Sequence, residues 1–296
     1  MTAKLFPGFT QVRVTVGGIT INAVRGGVGP PVLMLHGYPQ THVMWHRVAP
    51  GLASRHTVVC ADLRGYGDSD KPDSDPGHQP YAKRVMARDQ VELMRALGFD
   101  RFAVVGHDRG ARVARRMALD HPDTVGRLAV LDIVPTATVY GTLDQVHATT
   151  VWRYFFLVQP PDLPERLIGA DPSYYLTHTL REWCATPDRL AADAVAEYRR
   201  CFDPATIRAT CEDYRAGASV DLDHDASDAD HRIACPTLVL WSATGLGAAY
   251  DVLPTWRQQA DNVRGKALDC GHFLAEERPE EVTAQLLAFL AADEDT

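Results

Sequence analysis

The chain has 296 residues, 46% of them hydrophobic and 23% charged, with a formal net charge of −8 at pH 7. This composition suits a globular protein with a sizeable core, and the acidic balance argues against nucleic acid as a partner. No apolar run approaches the roughly 20 residues that a membrane-spanning helix needs, and residues 1–9 lack a signal-peptide core, so no membrane partner and a cytoplasmic location are expected.

Residues 11–16 and 19–24 alternate in polarity around Gly17-Gly18, the pattern of an antiparallel hairpin. Residues 31–35 read as a buried strand ending in His36-Gly37-Tyr38-Pro39. That loop is either a plain turn or the place from which Tyr38 offers a backbone N–H to a site. A strand over 57–61 leads into the glycine-punctuated loop 62–69, and Val85, Val91, Met94 and Leu97 give 81–97 a helical period.

Next comes a short β-branched strand over 102–105, then Gly106-His107-Asp108-Arg109-Gly110, then helical spacing at Val113, Met117 and Ala118. G-x-D-x-G between strand and helix has the frame of a nucleophile elbow, with a carboxylate where Ser is usual. The two glycines clear space for a sharp turn that pushes its central side chain into a cleft. Asp108 is therefore the candidate nucleophile, with the backbone N–H of Arg109 as a second donor beside Tyr38. The alternative is an ordinary helix N-cap.

A strand over 128–131 delivers Asp132. Strands alternating with helices argue for a mostly parallel, doubly wound sheet with its site at the strands' carboxyl ends. From 136 to 230 no β-run occurs, aromatics cluster and prolines interrupt, so this segment is expected to be a helical cap inserted in a core made of 1–135 and 231–296. The strand pattern resumes at 237–241. A helix near 251–260, a strand near 266–268, the loop Asp269-Cys270-Gly271-His272-Phe273 and a helix over 280–290 close the chain.

His272, late in the chain after nucleophile and acid, is the candidate base. Its orienting carboxylate is expected to be Asp132, with Asp251 as the fallback, because Ser242-Ala243-Thr244-Gly245 offers no acid. An Asp nucleophile is ill suited to acyl transfer, which would form an anhydride, and well suited to displacement at saturated carbon. His272 would then activate water to cleave the resulting ester. A carbon–halogen bond or an epoxide fits. Arg109 and Arg112, at i and i+3 beside Asp108, oppose the helix dipole at about 0.3–1 kcal/mol each. A substrate carboxylate would offset that cost; so would pairing with an acidic residue of the protein.

The segments Leu35-His36-Gly37-Tyr38-Pro39-Gln40-Thr41-His42-Val43-Met44-Trp45, Gly106-His107-Asp108-Arg109-Gly110-Ala111-Arg112, Val130-Leu131-Asp132-Ile133, Cys211-Glu212-Asp213-Tyr214-Arg215-Ala216-Gly217 and Gly271-His272-Phe273-Leu274 resemble the fluoroacetate dehalogenase group of α/β hydrolases, close to the epoxide hydrolases. The resemblance implies an eight-stranded α/β-hydrolase fold with helices on both faces and a cap. It also implies an Asp108–Asp132–His272 triad, Arg109 and Arg112 as carboxylate ligands, a small-molecule substrate and a homodimer. No cofactor or metal is implied, and the six cysteines lack C-x-x-C spacing. The group's leaving-group donors map to Arg153, Tyr154, Trp183 and Tyr214, where Arg153-Tyr154 replaces a His-Trp pair. Hydrolytic dehalogenation of short 2-haloacids is the leading reading. An epoxide hydrolase using Tyr154 and Tyr214 is the alternative, and a catalytically silent ligand receptor is the third.

Overall fold

A computed structural model describes residues 2–142 and 144–291. Eight strands form one sheet: β1 Thr10–Val16, β2 Ile19–Gly26, β3 Pro31–Leu35, β4 Thr57–Ala61, β5 Phe102–His107, β6 Val125–Leu131, β7 Thr237–Ser242 and β8 Val263–Leu268, in the order β1-β2-β4-β3-β5-β6-β7-β8. β1–β2 and β2–β4 pair antiparallel, and every later neighbour pairs parallel. The parallel strands β3, β4, β5 and β6 are almost wholly buried, as expected of a sheet covered on both faces. The exposed outer strand β1 alternates instead.

The mostly parallel, doubly wound sheet expected from the sequence is present, with the eight strands that the resemblance implied. Several elements extend past their predicted bounds. β8 begins at Val263 although its outer residues are exposed, because pairing to β7, with Val239 opposite Gly265, carries it. The helix expected near 251–260 is only Val252–Arg257.

Between β6 and β7 the described residues contain helices and no strand, among them Trp152–Leu157, Leu163–Ala170, Pro172–Trp183, Ala192–Cys201 and Pro204–Gly217. This insertion docks on the sheet's carboxyl end through an apolar seam, where Tyr38 packs on Trp183, Phe202 and Tyr214, and through polar contacts. Arg47 donates to Arg189 O, Arg200 meets Asp68, and His78 meets Glu212.

At the turn from β5 into helix Asp108–Asp120 the backbones nearly touch. A Cβ on Gly110 would lie 2.4 Å from His36 O and 2.5 Å from Leu35 O; one on Gly106 would lie 2.5 Å from Ala111 Cα. Gly110→Ala is thus expected to lose about 1–3 kcal/mol by forcing the loop after β3 outward. Urea unfolding, with an unchanged m-value and a lower midpoint, measures it.

Candidate active site

β5 ends at His107 and Asp108 opens the helix, with φ at 45°, in the left-handed region. For a residue with a Cβ this conformation costs on the order of 1–3 kcal/mol. The N-cap position belongs to His107, which makes no side-chain cap bond, so Asp108 is not serving its own helix as a cap. Its Oδ2 instead accepts the Tyr38 N–H across the turn at 2.8 Å. Among the described residues the Arg109 N–H makes no bond to it. Burial alone would raise the Asp108 carboxyl, yet His272, His107, Arg109 and Arg112 together hold it below the ordinary range. His107 is itself pushed down to about 4 by burial and His272, so at neutral pH the arginines and any imidazolium at His272 sustain the carboxylate.

Asp132 follows β6 and is also left-handed, with φ at 54°. Its Oδ2 lies 2.6 Å from His272 Nδ1, and its Oδ1 accepts the Ser242 N–H at 2.7 Å. The loop after β7 therefore supplies no acid, and the last residue of β7 supplies an amide that aims one. Asp251 is exposed and opens helix Val252–Arg257, away from the cleft. The other imidazole nitrogen, Nε2, has no protein partner, and the ring lines the cleft with Asp108. Burial would lower the His272 pKa; the hydrogen bond and charge of Asp132, with the charge of Asp108, reverse this and hold it above the usual imidazole value.

The sequence treats Arg109 and Arg112 alike, and the fold separates them. Arg109 Nε and Nη2 grip Asp213 Oδ2 and Oδ1 at 2.8 and 2.9 Å, and Nη2 also donates to Asp213 O at 2.8 Å. Its guanidinium lies 4.1 Å over the Tyr214 ring. Lys83 and Tyr66 share the same carboxylate, which these cations hold well below the normal range. Arg112 has neutral partners only: Val134 O at 3.1 Å, Thr136 Oγ1 at 2.7 Å and Tyr154 Oη at 2.7 Å, while its Nε has none. Arg64, Lys83, Arg109, Arg116, Arg153 and Arg215 are also buried, and each has a carboxylate partner. Among the described residues Arg112 is the buried cation that lacks one.

The family profile described as alpha/beta hydrolase fold matches residues 30–279. The chain belongs to this family. It is 47% identical to a fluoroacetate dehalogenase from Burkholderia sp over 97% of this chain and 95% of that protein. A soluble epoxide hydrolase from Corynebacterium sp. (strain C12) is 35% identical over 95% of this chain and 97% of its own. A solved structure from Nostoc sp PCC 7120, assigned to the alpha/beta hydrolases, superposes with a TM-score of 0.95 at 56% identity, covering 96% of this chain and 99% of that one.

In this hydrolase a cleft of about 350 Å³ is bounded by Asp108, Asp132 and His272 below and by Arg153, Tyr154 and Trp183 of the insertion above. Arg153 is nearly fully buried, bonded to Thr179 and Glu182 and stacked 4.9 Å from the Trp183 ring, with Nη1 unpartnered. Tyr214 is not on the cleft wall. It lies behind Tyr154, ring centroids 5.3 Å apart, and its hydroxyl has no protein partner. The Tyr38 ring is likewise buried behind the wall, so only its N–H serves the site. Sequence reasoning assigned no role to Asp213 or Ser242. Asp213 stood inside a quoted segment, but its reach to Arg109 spans 104 residues. No group of three or more His, Cys, Asp or Glu among the described residues could hold a metal ion.

The His272–Asp132 geometry makes a direct prediction. The imidazole should titrate above the unperturbed value of about 6.5. Asp132→Asn removes the interactions that raise it and should bring the midpoint down, as read by NMR of ring-labelled histidine.

Proposed function

We propose that this hydrolase cleaves the carbon–halogen bond of short 2-haloacids through an ester on Asp108. The observation that carries the reading is Arg112, a buried guanidinium beside Asp108 with no carboxylate of its own. An unpaired buried cation is costly, and a substrate carboxylate supplies the missing charge while bringing its α-carbon to Asp108. The similarity to a fluoroacetate dehalogenase supports the same chemistry.

In the first step an Asp108 carboxylate oxygen attacks the α-carbon, and halide leaves with the bonding pair. The second step begins when His272 Nε2 takes a proton from water as that water attacks the ester carbonyl. Asp132 stabilises the imidazolium through Nδ1–H. The oxyanion forms where Tyr38 N–H, with Arg109 N–H, can donate to it. On collapse the imidazolium returns its proton to the departing alkoxide, the 2-hydroxyacid leaves, and Asp108, with one oxygen derived from water, loses its proton to solvent. The insertion, residues 136–230, serves as a cap that excludes bulk water during displacement. Arg153, Tyr154 and Trp183 are the groups facing the departing halide, with Tyr214 reinforcing Tyr154. Because Thr179 and Glu182 hold Arg153 Nε and Nη2 and leave it only Nη1 to offer, the weakly hydrated halides leave more readily than fluoride.

Epoxide hydrolysis is the second reading, supported by the Corynebacterium relative and by Tyr154 on the cleft wall, although Tyr214 lies behind that wall and is no second ring donor. A silent receptor fits less well, since the fold strains Asp108 and Asp132 into left-handed backbone to make a connected triad. A homodimer belongs to the leading reading and is supported by Leu163, Leu167 and Tyr174, apolar and exposed on neighbouring helices of the insertion. A cytoplasmic location accords with the absence, among the described residues, of any helix long and apolar enough to cross a membrane.

Halide release is expected to fall in the order bromo-, chloro-, fluoroacetate; no release from any, with turnover of styrene oxide, would transfer the assignment to the epoxide hydrolases. In a single turnover in oxygen-18 water the label should enter the Asp108 carboxylate, detected in the tryptic peptide. Arg112→Gln should raise KM for chloroacetate roughly ten- to hundredfold, the equivalent of about 1.5–3 kcal/mol for a lost charged hydrogen bond. Arg109→Gln, by contrast, takes the bidentate partner from Asp213, leaving it Lys83 and Tyr66, and should lose about 1–3 kcal/mol of stability in urea unfolding.

A further inference from the structure

The loop that carries His272 is held from both sides by one buried carboxylate that the chemistry above does not use. Glu277 is 1% exposed. Its Oε2 accepts the Gly271 N–H at 3.1 Å, the Thr186 N–H at 3.0 Å and the Thr186 hydroxyl at 2.9 Å, while its Oε1 accepts the Phe273 N–H at 3.3 Å. Gly271 and Phe273 flank His272, and Thr186 belongs to the insertion. The remaining amide, that of His272, donates to Trp183 O at 2.8 Å, also in the insertion. The Trp183 ring stands edge-on to the imidazole, centroids 5.0 Å apart. A Cβ at Gly271 would meet Ala185 N at 2.4 Å and Trp183 O at 2.5 Å, so the two loops are in full contact.

No Lys or Arg pairs with Glu277 among the described ion pairs; four N–H and O–H donors satisfy it instead. Such a carboxylate cannot be exchanged for an amide of the same shape. A Gln side chain has one accepting oxygen, and its NH₂ would face donors. Of the three amides around the base, that of His272 thus reaches its acceptor only when residues 183–186 are seated against the loop, while Glu277 ties the other two to Thr186 of that segment.

We propose that Glu277 is a positioning residue that makes the placement of His272 conditional on docking of the insertion segment Trp183–Thr186. This rests on the ester mechanism proposed above, in which the two steps differ in what they need. Ester formation uses Asp108 and the arginines; only ester hydrolysis uses His272. A misplaced base therefore slows the second step selectively, and the alkyl-enzyme accumulates.

The test is intact-protein mass spectrometry of full-length enzyme quenched during chloroacetate turnover, alongside steady-state kinetics. Glu277→Gln is expected to lower kcat by about 100-fold, the effect of a roughly 1 Å misplacement of a catalytic group, with a larger fraction of enzyme carrying the carboxymethyl mass than in wild type. Thr186→Ala, which keeps the carboxylate and removes one donor from the insertion side, should shift both readouts in the same direction by less. Adduct fractions equal to wild type in both folded variants would overturn the proposal, as would a fall in kcat without adduct. Should Glu277→Gln fail to fold, Thr186→Ala alone decides, and wild-type behaviour there overturns it. His272→Asn separates the two layers: if it too shows no adduct, the ester mechanism itself fails.

Discussion

On the proposed mechanism, an ionised carboxylate kept ready at a buried position is the demand around which this structure is arranged. Burial alone would protonate Asp108, and a protonated acid is no nucleophile. The fold answers with a left-handed residue at the end of β5, which turns the side chain off its own helix and toward the Tyr38 amide. Gly110 on the helix side and Gly37 in the loop after β3 let that loop approach closely enough for the amide to arrive. The strain is sustained by the sheet, whose parallel core strands carry both sides of the turn.

The same demand explains how charge is divided around the cleft. Two arginines sit on the first turn of helix Asp108–Asp120, and two unpaired guanidinium groups would be too much buried charge for a single ligand carboxylate. Asp213, carried on helix Pro204–Gly217 of the insertion, neutralises one of them bidentately and is itself shared with Lys83 and Tyr66. Arg112 is left with the Thr136 hydroxyl, the Tyr154 hydroxyl and a carbonyl. On the proposed function, recognition of a substrate carboxylate falls to the one of two neighbouring arginines that the protein itself leaves unneutralised.

The insertion also contributes directly to the machinery on the core. It supplies Asp213 to Arg109, Arg153, Tyr154 and Trp183 to the cleft wall, and Trp183 O and Thr186 to the loop of His272. These directional contacts sit beside an apolar seam, in which Tyr38 of the core packs on Trp183, Phe202 and Tyr214 of the insertion.

Local chemistry made much of this readable in advance. Alternation around Gly17-Gly18, buried runs at 31–35, 57–61 and 237–241, and the G-x-D-x-G frame are properties of a few consecutive residues, and each appears at or within a few residues of its expected place. Asp108, Asp132 and His272 were legible for the same reason: each follows a strand, and strand ends converge on one edge of a parallel sheet. Roles that depend on side chains meeting across more than a hundred residues were not. Pairing of Arg109 with Asp213, the Ser242 amide on Asp132 and the solitary state of Arg112 have no local pattern, because they arise only when the insertion lies on the sheet. By itself, then, the amino-acid order determined the sheet, the elbow and the identity of the triad candidates, which short-range sterics and hydrophobic periodicity dictate. Only tertiary structure decided where the buried charges are compensated, since that depends on distances between segments that the order of residues does not contain.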